Sequence, residues 1–146
     1  MLINFKEDSM KKIIFIVVVL SLAVLTQQLA FAGLVPQEGQ AFTVERLVIA
    51  GSIEDREPVG VVSSFSSSTD TVYCFLEAKD IAEDTTVSFV WYAGDTEMAV
   101  VTLQVRKGSR WRTYSSKKLG AIQGNWRVDL QDAAGKVMKI VEFTVE

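Results

Sequence analysis

Between Arg106 and Lys118 the chain places six cations in 13 positions: Arg106, Lys107, Arg110, Arg112, Lys117 and Lys118. No acidic residue interrupts them, and they are half of the 12 basic residues that follow Ala32. The whole chain is acidic, with 15 Lys and Arg against 18 Asp and Glu and a formal net charge of −3. A local inversion of charge suits an anionic contact. Alternate side chains of a strand share a face, which sets Arg110, Arg112 and Tyr114 together, opposite Trp111. Guanidinium groups grip phosphate, sulfate or uronate groups with paired hydrogen bonds, and a tyrosine ring adds a stacking surface. Lys117 and Lys118 extend the charge. Two readings stand for this stretch. One is contact with an anionic ligand or partner; the other is a solvated strand neutralised by acidic neighbours such as Asp129 or Glu142.

Other residue types offer further chemistry. Exposed aromatic rings would make a sugar-stacking platform. Trp91, Trp111 and Trp126 share strand faces with core-type residues and read as packing, so Tyr92 and Tyr114 are the surface candidates. Ser115-Ser116-Lys117 has the residue types of a Ser/Lys nucleophile. It reads better as turn chemistry, with hydroxyls bonding the chain as it leaves a strand. Asp129 and Glu142 fall on one outward face of the last hairpin. A carboxylate pair can act as acid and base on a glycoside, but beside Arg127 a surface ion pair is the simpler reading. Cys74 lies between Tyr73 and Phe75 in a strand apolar on both faces. It reads as a buried thiol, with an intermolecular disulfide as the alternative, and the second apolar face asks for a covering loop or a partner.

What is missing narrows the choice. There is no His and a single Cys. His-ligated metals, His-based triads, an intrachain disulfide framework and multi-Cys metal sites are therefore excluded. No phosphate-cradling Gly loop, EF-hand or dinucleotide fingerprint is present, so no cofactor is expected. The net charge gives no global attraction to nucleic acid.

These residues need elements to hold them. Ile13 to Leu25 is an unbroken apolar run behind Lys11 and Lys12, followed by Ala30-Phe31-Ala32. That order is a secretory signal peptide, expected to be a helix over residues 1–32 and removed after Ala32. Met10 makes a more typical start than Met1, because Glu7 and Asp8 are unusual in such a segment. An uncleaved anchor from Ile13 to Val35 is the rival, and only that would tie the protein to a membrane. Residues 33–43 read as a leader and 44–146 as one domain, too short for a second core.

Beyond the leader the period is two. Strands are expected at Phe42–Ile53, Thr71–Lys79, Thr86–Tyr92, Met98–Arg106, Arg110–Ser115, Asn125–Gln131 and Val137–Val145, rich in Val, Thr, Phe, Tyr and Trp. Glu54–Pro58 reads as a charged loop and Ser63–Thr69 as a Ser-rich one. Ala93–Thr96, Lys107–Ser109 and Asp132–Gly135 read as tight turns. Ala78–Asp84 is the only weak helical stretch. About seven short strands predict an all-β fold, an antiparallel β-sandwich of immunoglobulin-like architecture. Alternation turns Ala99, Val101, Leu103 and Val105 inward and Met98, Val100, Thr102 and Gln104 outward. Trp126, Val128, Leu130, Val141, Phe143 and Val145 also face the core.

Trp111-Arg112-Thr113-Tyr114-Ser115, then Gly124-Asn125-Trp126-Arg127-Val128, resembles the bacterial family catalogued as domain of unknown function 2914. Arg56-Glu57-Pro58, Tyr73-Cys74-Phe75 and Trp91-Tyr92 fit the same pattern upstream, so the resemblance spans about Val44 to Val145. It implies a small extracytoplasmic or membrane-tethered domain and carries over no catalytic set. It also implies a His two residues before Trp91. Phe89 stands there instead and reads as a packing site.

The sequence therefore predicts an exported, noncatalytic binding module of the bacterial envelope, periplasmic in location. Its partner is an envelope polymer or protein met through Arg110, Arg112, Tyr114, Lys117, Lys118 and Tyr92. A structural subunit joined by strand addition and a small carboxylate-based glycan hydrolase are the alternatives.

Overall fold

Alternation of apolar and polar residues governs most of the strands, and the computed structural model shows what it builds. The structure describes residues 40–146. The signal segment, its expected helix and most of the leader lie outside the described residues. The strands are β1 (Thr43–Glu54), β2 (Glu57–Val61), β3 (Ser64–Phe65), β4 (Thr71–Ile81), β5 (Thr85–Ala93), β6 (Thr96–Val105), β7 (Gly108–Lys118), β8 (Gly124–Gln131) and β9 (Val137–Val145). Four of them form a sheet in the order β2-β1-β4-β7, and five form a second in the order β3-β9-β8-β5-β6. Neighbours run antiparallel except β3, which lies parallel to β9. The expected sandwich is present, with nine strands rather than about seven.

The inward residues of both sheets make one core. Leu47 and Ile49 on β1 and Val72, Cys74, Leu76 and Ala78 on β4 face Val87, Phe89 and Trp91 on β5 and Trp126, Val128 and Leu130 on β8. Each large side chain taken from water contributes about 1.5–3 kcal/mol. Phe89 is fully buried, which makes it a packing site. Trp126 stacks on Phe143 with ring centroids 5.9 Å apart. The indole groups also need hydrogen-bond partners once buried. Trp91 Nε1 donates to Ser115 Oγ at 3.0 Å, a bond that crosses from one sheet to the other. Trp126 Nε1 donates to the Ile122 carbonyl at 3.0 Å. Ser115 is thus a buried acceptor inside the core, and Lys117 Nζ instead donates to the Lys118 carbonyl.

Several expectations are corrected. Glu54–Pro58 is not an open loop: Asp55 and Arg56 take positive φ (47° and 64°), and Glu54 pairs Glu57 across a two-residue hairpin turn. Two successive positive φ values match the right-handed strand twist, which a charged sequence without Gly does not advertise. The Ser-rich Ser63–Thr69 segment holds the short β3, anchored by buried Phe65. Ala78–Asp84 is no helix, because β4 continues to Ile81. Lys107–Ser109 is not a hairpin turn but part of a crossing between sheets: β6 pairs with β5, and β7 pairs with β4. The Lys107 amide there donates to Asp84 Oδ1 at 2.8 Å. Met98 turns to the core instead of outward, since a register shift sets Trp91 opposite Ala99 but Tyr92 opposite Glu97. One extra residue in a strand flips the alternation at that point. The end of the leader is also packed, with Phe42 in the core.

Candidate functional site

The outer face of the four-stranded sheet carries most of the charged candidates. Cross-strand register sets Arg46 on β1 opposite Glu77 on β4, and Glu77 opposite Arg112 on β7. Glu77 is only 2% exposed although it points away from the core. A buried carboxylate must be paired, and here three guanidinium groups surround it. Arg46 Nε donates to it at 2.7 Å, Arg110 Nε pairs with it directly, and Arg112 Nε lies 3.9 Å away. A second carboxylate enters from β2. Glu57 Oε2 accepts from Arg46 at 2.9 Å, and Glu57 Oε1 meets Arg112 Nη1 at 2.7 Å. Three arginines against two glutamates leave this patch with a surplus of one positive charge.

The same contacts move the pKa values. Burial pushes the Glu77 carboxyl up, but hydrogen bonds from Arg110 and Arg46, with their charges, outweigh it and hold it below the ordinary value. The Arg46 hydrogen bond likewise holds Glu57 low against its own desolvation, with the Arg112 charge adding to it. Glu57 and Glu77 in turn raise Arg46. Burial alone raises the Cys74 thiol, so the thiol stays protonated and unreactive in the core.

Glu57 reaches these arginines because of the β1–β2 hairpin. β1 pairs with β4 only as far as Ala50, then continues with β2 to Glu54. Gly51 and Gly60 face each other where the hairpin departs. Gly60 has φ +69°, and a Cβ there would sit 3.7 Å from the Gly51 nitrogen. Beside the hairpin lies a slot of about 360 Å³ lined by Ile53, Arg56, Phe75, Arg112, Thr113 and Tyr114. Phe75 is 1% exposed even though it faces outward, and the Arg46 guanidinium lies over its ring at 5.0 Å. The second apolar face of β4 is therefore covered from within the chain. Tyr114 stays 47% exposed and packs edge-on against Tyr73 at 5.8 Å.

The structure brings Arg110, Arg112 and Tyr114 onto one face, as their alternation requires. Lys118, opposite Thr71, continues that row, while Lys117 pairs with Val72 on the inward side at the rim. Tyr92 lies on the other sheet beneath Arg127, whose guanidinium is 4.0 Å from the ring centroid. The acidic neighbours of the basic strand are Glu77 and Glu57, not Asp129 or Glu142, which belong to the five-stranded sheet. Asp129 is 7% exposed and bonded to Arg127 at 3.0 Å, so it does not form an open carboxylate pair with Glu142.

A larger hollow, about 660 Å³, opens at the end of that second sheet. Asp95, Asn125, Arg127, Glu142, Ser63 and Thr144 bring polar groups to it. Arg127 is already held by Asp129 and Tyr92, so Asp95 and Glu142 leave this hollow negative. Among the described residues, no group of three or more His, Cys, Asp or Glu is placed to hold a metal ion.

Sequence reasoning missed Arg46, Glu57 and Glu77. The period-two reading of β4 already put Glu77 beside Tyr73 and Phe75. A carboxylate in such an apolar row signals a buried ion pair, but its partners come from strands 20 and more residues away.

Residues 84–145 match a family model described as a protein of unknown function (DUF2914). The match bears out the resemblance read from the W-R-T-Y-S and G-N-W-R-V segments, and it begins at Asp84 rather than Val44. No curated protein matches the chain. Among solved structures, a beta-glucosidase from Kluyveromyces marxianus is similar at 12% identity over 53% of this chain and 13% of that one, with a TM-score of 0.41. A mutant beta-glucosidase from Listeria innocua in complex with laminaribiose is similar at 11% identity over 72% of this chain and 16% of that one, with a TM-score of 0.45. The chain thus spans only a small part of the length of these enzymes, and so partial a likeness says nothing of its chemistry.

Proposed function

We propose that this protein is an exported, noncatalytic binding module of the bacterial envelope, working in the periplasm. Its contact surface is the outer face of the four-stranded sheet, and its ligand is an anionic group of an envelope polymer or protein. The observation that carries this reading is the slot beside the hairpin. There Arg56 and Arg112 flank Phe75 and the exposed Tyr114 ring on a face whose charge is a positive surplus. Guanidinium and phenol together suit a carboxylate or phosphate attached to a flat or apolar body. The rigid sheet below holds these groups ready, which lowers the ordering cost of binding.

Co-sedimentation of the full chain with sacculi, membrane vesicles and soluble periplasmic protein tests this. Binding to sacculi or vesicles that weakens several-fold between low and high salt is expected, because exposed charge contacts are screened. Absence of binding to every fraction overturns the reading.

One observation favours a second reading. β6 forms an open edge of the five-stranded sheet and carries no charge from Met98 to Val105, with Val100 53% exposed. The β7 edge, by contrast, is guarded by arginines and lysines, a common defence against strand pairing. An unguarded edge suits strand addition by an assembly partner. Salt-resistant capture of one protein would move the weight to this reading.

A further inference from the structure

The arginines that make the face positive are not idle; Glu57 already sits between two of them. Its two carboxylate oxygens go to different partners, Oε2 to Arg46 at 2.9 Å and Oε1 to Arg112 at 2.7 Å. That is the grip a two-arginine site gives to any carboxylate or phosphate. We propose that Arg46 and Arg112 form an anion-binding site in which Glu57 is the resident occupant, displaced when the anionic group of the ligand arrives and its body enters the neighbouring slot. This rests on the outer face being the binding surface, as argued above.

The two glutamates of the patch differ in the way the proposal needs. Glu77 is fixed: its side chain is 3% exposed, in the middle of β4, with β1 and β7 on either side. Glu57 is replaceable: its side chain is 41% exposed and stands at the start of β2, beside the turn. β2 pairs only with β1, and the hairpin departs at Gly51 and Gly60. The segment can therefore swing without breaking a central ladder.

Arg112 supplies the reason for an incoming anion to stay. Its closest carboxylate is Glu57, and its buried Nε has no hydrogen-bond partner among the described residues. With Glu57 gone, Arg112 would stand half-buried without a close counter-charge. An anion of one charge restores the balance and leaves Glu77 in place for Arg46 and Arg110. The slot lined by Ile53, Phe75 and Tyr114 then takes whatever carries the anion. Occupation of the site by an internal carboxylate also lowers its affinity for stray small anions, a filter against nonspecific binding.

Titration calorimetry of the full chain with two probes, inorganic phosphate and citrate, tests the site and separates phosphate from carboxylate preference. Glu57→Gln keeps the shape of the side chain but removes its charge. It is expected to bind the preferred probe about tenfold more tightly than the unaltered chain, a change of about 1.4 kcal/mol. Adding Arg112→Gln to it should abolish the gain. Glu57→Ala, checked for folding by near-ultraviolet circular dichroism, gives a second opened site. Equal binding by the unaltered chain and both Glu57 variants, lost with Arg112→Gln, overturns the occupant role and leaves the binding face standing. No probe binding by any variant, while the unaltered chain still sediments with an envelope fraction, overturns the site alone. If sedimentation fails as well, both readings fall.

Discussion

The outer face of the four-stranded sheet and the hollow at the end of the five-stranded sheet are the two places where polar groups gather, and they differ in sign and in commitment. The hollow is larger, about 660 Å³ against about 360 Å³. Yet its one arginine, Arg127, is taken by Asp129 and lies on Tyr92, which leaves Asp95 and Glu142 to set a negative field. The sheet face has less room but three arginines sharing two carboxylates, one of them half-exposed on the edge hairpin. Volume alone would choose the hollow. Charge and the exposure of a counter-ion choose the face. A site for an anion is recognised by which cations keep a replaceable partner.

The largest effect should come from the fixed centre of the face. Glu77→Ala leaves Arg46 and Arg110 without their buried partner and is expected to lower stability by about 3 kcal/mol, the low end for a broken buried pair because both arginines reach water. Asp129→Ala is the matching change in the other region, where one arginine contact is lost, and should cost about 1.5 kcal/mol. Urea unfolding of both variants makes the comparison; equal losses would erase the distinction between the two carboxylates. Acid comes next. Glu57 and Glu77 both have folded values below the ordinary 4.5. Their stabilisation is fully present above that value and is lost as pH falls below it through the folded values. The acid limb of the stability curve should therefore flatten in Glu77→Gln, and an unchanged limb would show that the pair does not govern acid unfolding. The smallest effect belongs to Tyr92→Leu, which removes the cation–π contact with Arg127 but leaves Arg127 bonded to the buried Asp129. A loss within about 1 kcal/mol is expected, with sedimentation unchanged.

Much of this architecture is legible in the residues. Alternation located β1 and β4 to β9 and gave the inward faces of β6, β8 and β9, Met98 excepted, because each of these strands has one face on a single core. The departures occur where two strands must be known together. The Asp55-Arg56 turn lacks the Gly that usually marks its conformation. The extra residue at Met98 is a matter of register between β5 and β6. The site divides in the same way. Arg110, Arg112 and Tyr114 lie on one strand, so spacing alone grouped them. Glu77 and Glu57 reach them across strands, and no local pattern announces that. Lys117 points to the rim and Tyr92 to the other sheet, which a charge count along the sequence cannot separate.

On the proposed reading the four-stranded sheet, not the hollow, meets the envelope. The direct test sets two surface variants side by side in the sedimentation experiment. Arg56→Ala, Tyr114→Ala and Lys118→Ala together alter exposed groups of the face while sparing its buried ion pairs. Asp95→Ala, Asn125→Ala and Glu142→Ala together alter the hollow. The first set is expected to lose salt-sensitive binding and the second to keep it. Binding that survives the first set and disappears with the second would contradict this reading.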